Sequence, residues 1–308
     1  MVAKVSISWA GIDQAAIRRA ERSQAERIQA AKKQPSWAYA LSDDICDGLH
    51  KKAMSGVRID QRYLPFLTPT HVLLRELADK APGTFRHSVI VGCIAASSAA
   101  KVQGANPDLC RLLGYFHDTG KMFRPDLYSE ALAGNRANMT RIETAADLKI
   151  MLNHPSLSRD NAWRHRLPAE VVDLLIEHHG TVKTRIRLSA DIPEKDLYYC
   201  GPKPSTIESA IVMFVDSASA FFEKEMDEKG WLTEDHSNSR ILARIQKIHG
   251  EVAAESQFDE RVFSRDNQTI VLHGIKKWFY RFYGHMRLFG TPSAGEYVQD
   301  KRLPWPDY

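Results

Sequence analysis

The chain has 308 residues, of which 44% are hydrophobic and 26% are charged, and its formal net charge is +4. A chain of this length can bury a sizeable core, and its composition is that of an ordinary globular protein, which excludes a low-complexity class. The mild positive charge suits a small anionic substrate, whereas it gives no reason to expect a stable nucleic-acid partner.

The cysteines and the hydropathy pattern bear on the cellular compartment. Cys46, Cys93, Cys110 and Cys200 are scattered and form no Cys-x-x-Cys pair, which is typical of free thiols in a reducing cytoplasm. No stretch approaches the roughly 18 consecutive apolar residues of a membrane span, and the N-terminus lacks the apolar core of a signal peptide. We therefore expect a cytoplasmic protein without a transmembrane segment.

Two helices are predicted ahead of the main domain, over Gln14–Lys33 and Trp37–Met54, and a linker over Ser55–Pro69 follows them. The first helix is basic and nearly lacks large apolar residues, which indicates a solvated helix or a dimer contact; binding to a membrane surface or to a partner is the alternative. A homodimer through the N-terminal or C-terminal helices is compatible with this pattern. The predicted units are an N-terminal helical extension with its linker (1–69), the main helical domain (70–290) and a C-terminal tail (291–308).

The main domain is predicted to be helical throughout, because its periodic stretches follow the helical repeat and no alternating strands with hairpin turns occur. The first of four informative helices runs from about Thr84 to Val102. His87 shares one face of this helix with three apolar residues, Ile90, Val91 and Ile94.

The second helix is bounded by local signals. Asn106 is a favourable N-cap, and Pro107 stands at the first helical position, where its missing N–H is not needed. The apolar face of this helix leads to the dipeptide His117-Asp118, and Gly120 offers a stop. An imidazole and a carboxylate at a helix end can bind one ion together, and the two oxygens of the carboxylate can bridge two ions.

The third helix begins at Pro168, and its apolar face points in the same direction as His178, shortly before a stop at Gly180. Consecutive residues of a regular helix do not share a face. Distortion near the helix end can nevertheless direct the rings of both His178 and His179 at one ion. His154, which precedes a proline at another apparent helix start, is a further candidate.

The fourth helix, about Ser205–Phe222, is apolar on nearly all sides and is therefore predicted to be buried. It contains Asp216, whose carboxylate would be costly to bury unless a cation compensates it. An arginine or a lysine could supply that cation, and capping of a neighbouring helix is another use for this side chain. A metal ion becomes the stronger interpretation once the histidines are considered with it.

Seven candidate metal ligands thus lie on helices whose apolar faces could converge. They are too many for one tetrahedral ion, and they suit two adjacent ions that share Asp118. Imidazole and carboxylate ligands are appropriate for iron, manganese, zinc or nickel. The candidates are His87, His117, Asp118, His154, His178, His179 and Asp216.

Two adjacent divalent ions support the hydrolysis of a phosphoester, because they activate a water molecule and neutralise charge on the phosphate oxygens. Asp118 would then be catalytic as the shared ligand. Lys121, three residues further on, could contact a phosphate oxygen as a point charge, although a surface lysine would give the same pattern. These residues therefore predict a metal-dependent phosphohydrolase.

The motifs around these residues resemble the HD-domain superfamily. More narrowly, the chain is similar over roughly Val72–Gly290 to the cytosolic catalytic domain of PgpH-type phosphodiesterases, which hydrolyse cyclic di-AMP. The stretches that carry the resemblance are Ala81–Ser88, Gly104–Pro107, His117–Lys121 with Arg124-Pro125, Leu167–Thr181 and Tyr199–Ser217.

The resemblance implies an all-α fold, an HD-domain helical bundle that here carries the N-terminal helical extension. It implies two divalent metal ions, with iron or manganese favoured over zinc, nickel or magnesium, and opening of a cyclic dinucleotide to a linear product with a 5′-phosphate. The implied ligands are His87, His117, Asp118 and Asp216 for one ion, and Asp118, His154, His178 and His179 for the other. The implied substrate contacts are Lys121, Arg124 and Lys203, the last within a Gly-Pro-Lys-Pro loop that is otherwise an ordinary rigid turn.

Three departures separate the chain from those relatives. The membrane-spanning and extracellular parts expected of the PgpH type are missing, which indicates divergence in regulation and leaves the substrate open. The segment after Arg124-Pro125 lacks the usual Glu-Asn-Gln element, which bears on substrate contacts there. The Gly-Tyr-Pro element of enzymes that cleave cyclic di-GMP is also missing after His178-His179, which weakens the case for that substrate.

The same residues are compatible with three other functions: a phosphohydrolase of nucleoside mono- or triphosphates, a mixed-valence di-iron oxygenase, and a nucleotide-binding module that signals without catalysis. Lys121 and the family resemblance argue against the oxygenase, and the full ligand set argues against the module. Hydrolysis of a cyclic dinucleotide, with cyclic di-AMP favoured, is therefore the leading hypothesis.

Overall fold

The computed structural model describes residues 60–67, 71–128, 142, 144–184, 192–229 and 256–289, and the single positions 243, 246, 247 and 250. The helices predicted over Gln14–Lys33 and Trp37–Met54 lie outside these residues, as does the C-terminal tail. The boundaries of the three units predicted from the sequence therefore stay predictions.

Helices build the described part of the chain, which contains no β-strand and only one isolated antiparallel bridge, between Lys183 and Tyr198. The predicted all-α class is confirmed. None of the described helices combines the length and the apolarity that crossing a bilayer would require. The α-helices with described bounds are α1 (Val72–Lys80), α2 (Pro82–Ala99), α3 (Pro107–Phe116), α4 (Ala145–Leu152), α5 (His154–Arg164), α6 (Ala169–Leu174), α7 (Ile207–Lys229) and α8 (Arg265–Phe289).

Helix α2 lies at the centre of the fold, where it packs against α1, α3, α7 and α8. Most of its residues are buried. Helices α2 and α3 approach closely because two glycines face each other, and a Cβ atom on Gly114 would lie only 2.5 Å from the Cα atom of Gly92. The close approach places His87 of α2 beside His117 at the end of α3, with the ring centroids 5.4 Å apart.

Local capping explains where two of the site-bearing helices begin. The side chain of Asn106 accepts hydrogen bonds from the backbone nitrogens of Asp108 at 3.0 Å and Leu109 at 3.2 Å, and Pro107 opens α3. Helix α5 begins at His154, with a proline in its first turn. Both predicted starts are confirmed.

Several helix boundaries differ from the prediction. The helix predicted from Pro168 to Gly180 is an α-helix only to Leu174, because the 3-10 turn Leu175–Glu177 follows it. Helix α2 begins earlier, at Pro82, because the fixed φ of proline suits a first helical turn. Helix α3 ends at Phe116, before the predicted stop at Gly120, and the N–H of Gly120 donates to Oγ of Ser158 instead of to its own helix. Helix α7 continues beyond its predicted end at Phe222. Its middle is buried as predicted.

Part of the segment that the sequence predicts as a linker packs on the domain. Tyr63 and Leu67 belong to the hydrophobic core. The hydroxyl group of Tyr63 donates to a carboxylate oxygen of Glu170 on α6 at 2.9 Å. Residues 60–67 are therefore part of the packed structure around α6.

Candidate metal centre

The seven candidate ligands come from separate parts of the fold and meet in one cluster. His87 lies on α2, His117 and Asp118 directly follow α3, and Asp216 lies on α7. The other three stand at the start of α5 and after the 3-10 turn Leu175–Glu177. Six of the seven are buried, and only His179 among them is partly exposed, with 20% of its side chain accessible.

One group of ligand atoms surrounds Oδ1 of Asp118. The ligand atoms of Asp118, His154, His178 and His179 all lie within 4.8 Å of one another. Oδ1 of Asp118 lies 3.2 Å from Nε2 of His154 and 3.7 Å from Nε2 of His178. The rings of His178 and His179 thus belong to one group. This agrees with the prediction that distortion near the helix end can direct both rings at one ion.

A second group of ligand atoms surrounds Oδ2 of Asp118. This oxygen lies 3.2 Å from Nε2 of His117 and 3.9 Å from Nε2 of His87. Oδ1 of Asp216 lies 2.9 Å from the same nitrogen of His87, and Oδ2 of Asp216 lies 3.8 Å from Nδ1 of His179. Asp118 is therefore common to both groups through different oxygens, and Asp216 lies between them.

Backbone carbonyl groups orient three of the imidazole rings. Nδ1 of His117, of His154 and of His178 each lies 2.7–2.8 Å from the carbonyl oxygen of the residue three positions earlier. A carbonyl oxygen can only accept a hydrogen bond, so Nδ1 carries the proton in each ring. In the neutral form of each ring, Nε2 then faces the cluster with its lone pair, which is the arrangement usual for histidines that bind metals.

The carboxylates dominate the electrostatics of the cluster. Burial opposes their ionisation, but the charges of His117 and Lys121 hold the pKa of Asp118 well below its usual range, and the neighbouring rings of His117 and His87 do the same for the pKa of Asp216. Burial also disfavours the charged ring of His117, yet Asp118 and Asp216 raise its pKa to about 9. The carboxylates of Asp118 and Asp216 therefore favour cations in the centre.

The two consecutive histidines are held neutral. Burial, followed by the charges of His117 and His154, lowers the pKa of His178 to about 3. Burial and the neighbouring rings of His178 and His154 hold the pKa of His179 well below its usual range. A neutral imidazole can bind a metal ion without first losing a proton.

The residues present fit a pair of divalent cations. Nε2 of His117 and Oδ1 of Asp118 are buried and make no hydrogen bond, although each has a polar neighbour at 3.2 Å. Buried polar atoms without hydrogen bonds are uncommon in native proteins and call for an explanation such as an ion. Imidazole nitrogens around a shared carboxylate are suitable donors for transition-metal ions.

The turn that carries Asp118 is fixed against α5. The N–H of Gly120 donates to Oγ of Ser158 at 2.8 Å. A Cβ atom on Gly120 would lie 2.2 Å from the carbonyl oxygen of His154, so only glycine allows this approach. Sequence reasoning assigned no role to Ser158, and the only signal for it is its position one helical turn after His154.

The aromatic side chain of Tyr199, to which sequence reasoning assigned no role, packs against the partly exposed candidate ligand His179. The ring of Tyr199 stacks on His179, with centroids 4.2 Å apart and planes 33° apart, and it meets His154 edge-on at 5.9 Å. Tyr199 belongs to a stretch that carries the family resemblance, but nothing in the sequence indicates that its ring reaches the cluster.

The predicted substrate contacts lie in different surroundings. Lys121 is close to the cluster: its Nζ donates to Oδ2 of Asp118 at 2.6 Å, and the residue is 8% exposed. Arg124 pairs with two carboxylates, Asp126 at 2.8 Å and Asp147 at 3.4 Å. Lys203 is exposed and donates to the carbonyl oxygen of Ser256 at 2.8 Å. Contacts of all three residues with a substrate therefore stay predictions.

Comparison with known proteins bears on the region that contains the cluster. Residues 84–220 match the family model of the HD domain and include all seven candidate ligands. The cyclic-di-AMP phosphodiesterases PgpH of Listeria monocytogenes and Bacillus subtilis are 32% and 30% identical over 171 residues, which are 54% of this chain. The chain spans only 24% of the length of these two relatives.

A solved structure supports the same assignment. The crystal structure of the L. monocytogenes PgpH HD domain in complex with cyclic-di-AMP is 26% identical in sequence and matches with a TM-score of 0.58. The match covers 69% of this chain and 98% of that structure. The resemblance predicted from the sequence is thus confirmed: residues 84–220 match the HD-domain family, and the chain is similar to the HD domain of the PgpH phosphodiesterases.

Proposed function

We propose that this protein is a metal-dependent phosphodiesterase that hydrolyses a cyclic dinucleotide, with cyclic di-AMP as the favoured substrate. The strongest support is the shared carboxylate of Asp118, whose Oδ1 faces His154 and His178 while its Oδ2 faces His87 and His117. One carboxylate between two groups of imidazoles suits a site for two metal ions. The similarity to the PgpH HD domain supports the same interpretation.

Two sets of residues would hold the ions. Iron or manganese is favoured, and zinc, nickel and magnesium are to be compared with them. When bound, such a pair of ions acidifies water and neutralises negative charge on the phosphoryl oxygens. The sets are His87, His117, Asp118 and Asp216 for one ion, and Asp118, His154, His178 and His179 for the other.

Residues of this chain prepare the site for a phosphodiester. The backbone carbonyl groups fix the tautomer of three rings, and Asp118 stays ionised because its neighbours lower its pKa. The ammonium group of Lys121 lies next to Oδ2 of Asp118 and would donate to a non-bridging phosphate oxygen. The buried surroundings strengthen these charge interactions relative to bulk water.

The names of the relatives support the substrate class. The two PgpH relatives are cyclic-di-AMP phosphodiesterases, and the solved HD domain is in complex with cyclic-di-AMP. In the proposed reaction the oxygen of water forms a bond to phosphorus while the bond from phosphorus to the 3′ oxygen breaks. The 3′ oxygen takes up a proton, so the ring opens to a linear dinucleotide that carries a 5′-phosphate.

A substrate panel tests the proposal. The full chain, loaded with Mn²⁺ or Fe²⁺, is incubated with cyclic di-AMP, cyclic di-GMP, nucleoside monophosphates and nucleoside triphosphates, and products are identified by mass spectrometry. We expect cyclic di-AMP to give the linear 5′-phosphorylated product. Asp118→Asn should abolish turnover, whereas Glu170→Gln, a matched change outside the centre, should retain it. A protein that holds two ions and cleaves no cyclic dinucleotide would refute the proposal.

A further inference from the structure

Glu177 stands directly before His178 and His179, at the end of the 3-10 turn that leads to them. The residue is 5% exposed, and both of its carboxylate oxygens accept a hydrogen bond from Ser205. The hydroxyl group of Ser205 donates to Oε1 at 2.6 Å, and the backbone N–H of Ser205 donates to Oε2 at 2.8 Å. Hydrogen bonds to an ionised carboxylate are short and strong, which explains why a buried glutamate is tolerated here.

The partner of Glu177 belongs to a different part of the site. Ser205 lies two residues before the start of α7, the helix that carries Asp216. Glu177 therefore connects the turn that carries two imidazoles to the helix that carries the carboxylate facing them. Across this connection Nδ1 of His179 lies 3.8 Å from Oδ2 of Asp216.

The backbone around the hydrogen bonds between Glu177 and Ser205 is closely packed, but Ser205 itself lies at the surface. A Cβ atom on Gly201 would lie 2.4 Å from the carbonyl oxygen of Ile176, so the loop before α7 rests directly on the turn that precedes Glu177. Ser205 is exposed. Its N–H and hydroxyl groups would be hydrated if the carboxylate were removed, so loss of Glu177 is compatible with folding.

We propose that Glu177 is a positioning residue of the metal centre. By holding Ser205, it keeps α7 at the place where Asp216 and the imidazoles of His178 and His179 act in one dinuclear site. The inference rests on the dinuclear centre of the proposed function and is independent of the base or ring size of the substrate. In known metal sites, loss of a residue that holds a ligand in place weakens metal binding by about 10- to 100-fold.

The hydrogen bonds of Glu177, and not its charge, do the positioning. A glutamine at this position keeps both bonds, because its Oε1 accepts from the N–H of Ser205 and its Nε2 donates to the hydroxyl oxygen. Glu177→Gln and Glu177→Ala therefore separate the two effects. Glu170→Ala is the matched control, since Glu170 also accepts hydrogen bonds, from Tyr63 and Arg62, but joins no ligand-bearing elements.

The test measures metal binding to the full chain after its metal has been removed. Calorimetric titration with Mn²⁺ gives the number of ions and their stepwise affinities, and electron paramagnetic resonance distinguishes an exchange-coupled Mn²⁺ pair from isolated ions. In Glu177→Ala we expect the affinity for one ion to fall by about 10- to 100-fold and the coupled signal to give way to that of isolated Mn²⁺. Glu177→Gln and Glu170→Ala should keep the affinities and the coupled signal of the wild type.

Two results would overturn the role of Glu177. One is wild-type affinity for both ions in Glu177→Ala, and the other is an equal loss in Glu177→Gln, which would make the charge responsible. If Glu177→Ala does not fold, Ser205→Ala, which removes only the hydroxyl bond, should show a smaller loss for one ion, and unchanged binding would again overturn the inference.

An experiment that refutes the proposed substrate would give a different set of results. A wild-type protein that binds a coupled Mn²⁺ pair and leaves cyclic di-AMP intact would refute the substrate, while the metal titrations of the variants would still decide the role of Glu177. Turnover of cyclic di-AMP with unaltered metal binding in Glu177→Ala would refute the positioning role alone.

Discussion

Replacing Gly120 with alanine should disturb the metal centre through steric overlap alone. The added Cβ atom would lie 2.2 Å from the carbonyl oxygen of His154, 2.8 Å from the backbone nitrogen of Ser158 and 2.8 Å from Cβ of Leu157. Two of these atoms belong to the backbone of α5, which cannot rotate aside as the end of a flexible side chain can. The turn that carries Asp118 must therefore move away from α5.

The size of the effect follows from the contacts that this movement disturbs. Overpacking a well-packed interior typically costs about 1–3 kcal/mol. The movement also breaks the hydrogen bond from Gly120 to Ser158, which contributes a net of about 1 kcal/mol. We therefore expect Gly120→Ala to lower the free energy of unfolding by about 2–4 kcal/mol. It should also weaken the binding of the ion that Asp118 and His154 would share.

Urea denaturation of the metal-free protein, followed by circular dichroism, measures the first effect, and Mn²⁺ titration measures the second. Gly104→Ala is the control, because Gly104 has a φ of +85° and a Cβ atom there would meet nothing within 4 Å. This variant should lose only about 1–2 kcal/mol, from the left-handed backbone, and keep its Mn²⁺ affinity. If Gly120→Ala unfolds within about 0.5 kcal/mol of the wild type and binds Mn²⁺ normally, the steric reasoning is wrong.

Three further results are expected. Burial, followed by the charge of His165, lowers the pKa of His71, so the unfolded chain binds more protons and the free energy of unfolding should decrease as the pH falls below about 6.5. His71→Asn, which retains an N-cap acceptor, should flatten this slope in denaturation curves recorded across that range, and an unchanged slope would assign it to another group. Ser158→Ala leaves the N–H of the buried Gly120 without its acceptor and should lower the urea-derived free energy of unfolding by about 1–3 kcal/mol, so a neutral result would show that this bond is replaced. Removal of metal with a chelator should lower the melting temperature, and Mn²⁺ should restore it, because an ion that binds only the folded state stabilises that state. Asp118→Asn should lose this response, and an equal response in variant and wild type would contradict a shared ligand.

The sequence by itself determined the helical class, the start of α3 and the types of residue that are candidate ligands. Asn106 and Pro107 mark the start of α3 because capping satisfies backbone groups within a few residues of the cap. Asp216 was recognisable because a carboxylate inside an apolar helix requires a compensating partner. Both are local properties, so they could be predicted without knowing what the chain packs against.

Only the tertiary structure decided which atoms meet. It directs the two oxygens of Asp118 at different groups of imidazoles, pairs Arg124 with Asp147 and connects Glu177 to Ser205. These contacts join residues that are far apart in the sequence. Arg124 and Asp147 are 23 positions apart, and Glu177 and Ser205 are 28 positions apart. No local preference of the backbone encodes such distances, because they are set by how closely the helices pack, as at the glycines where α2 touches α3.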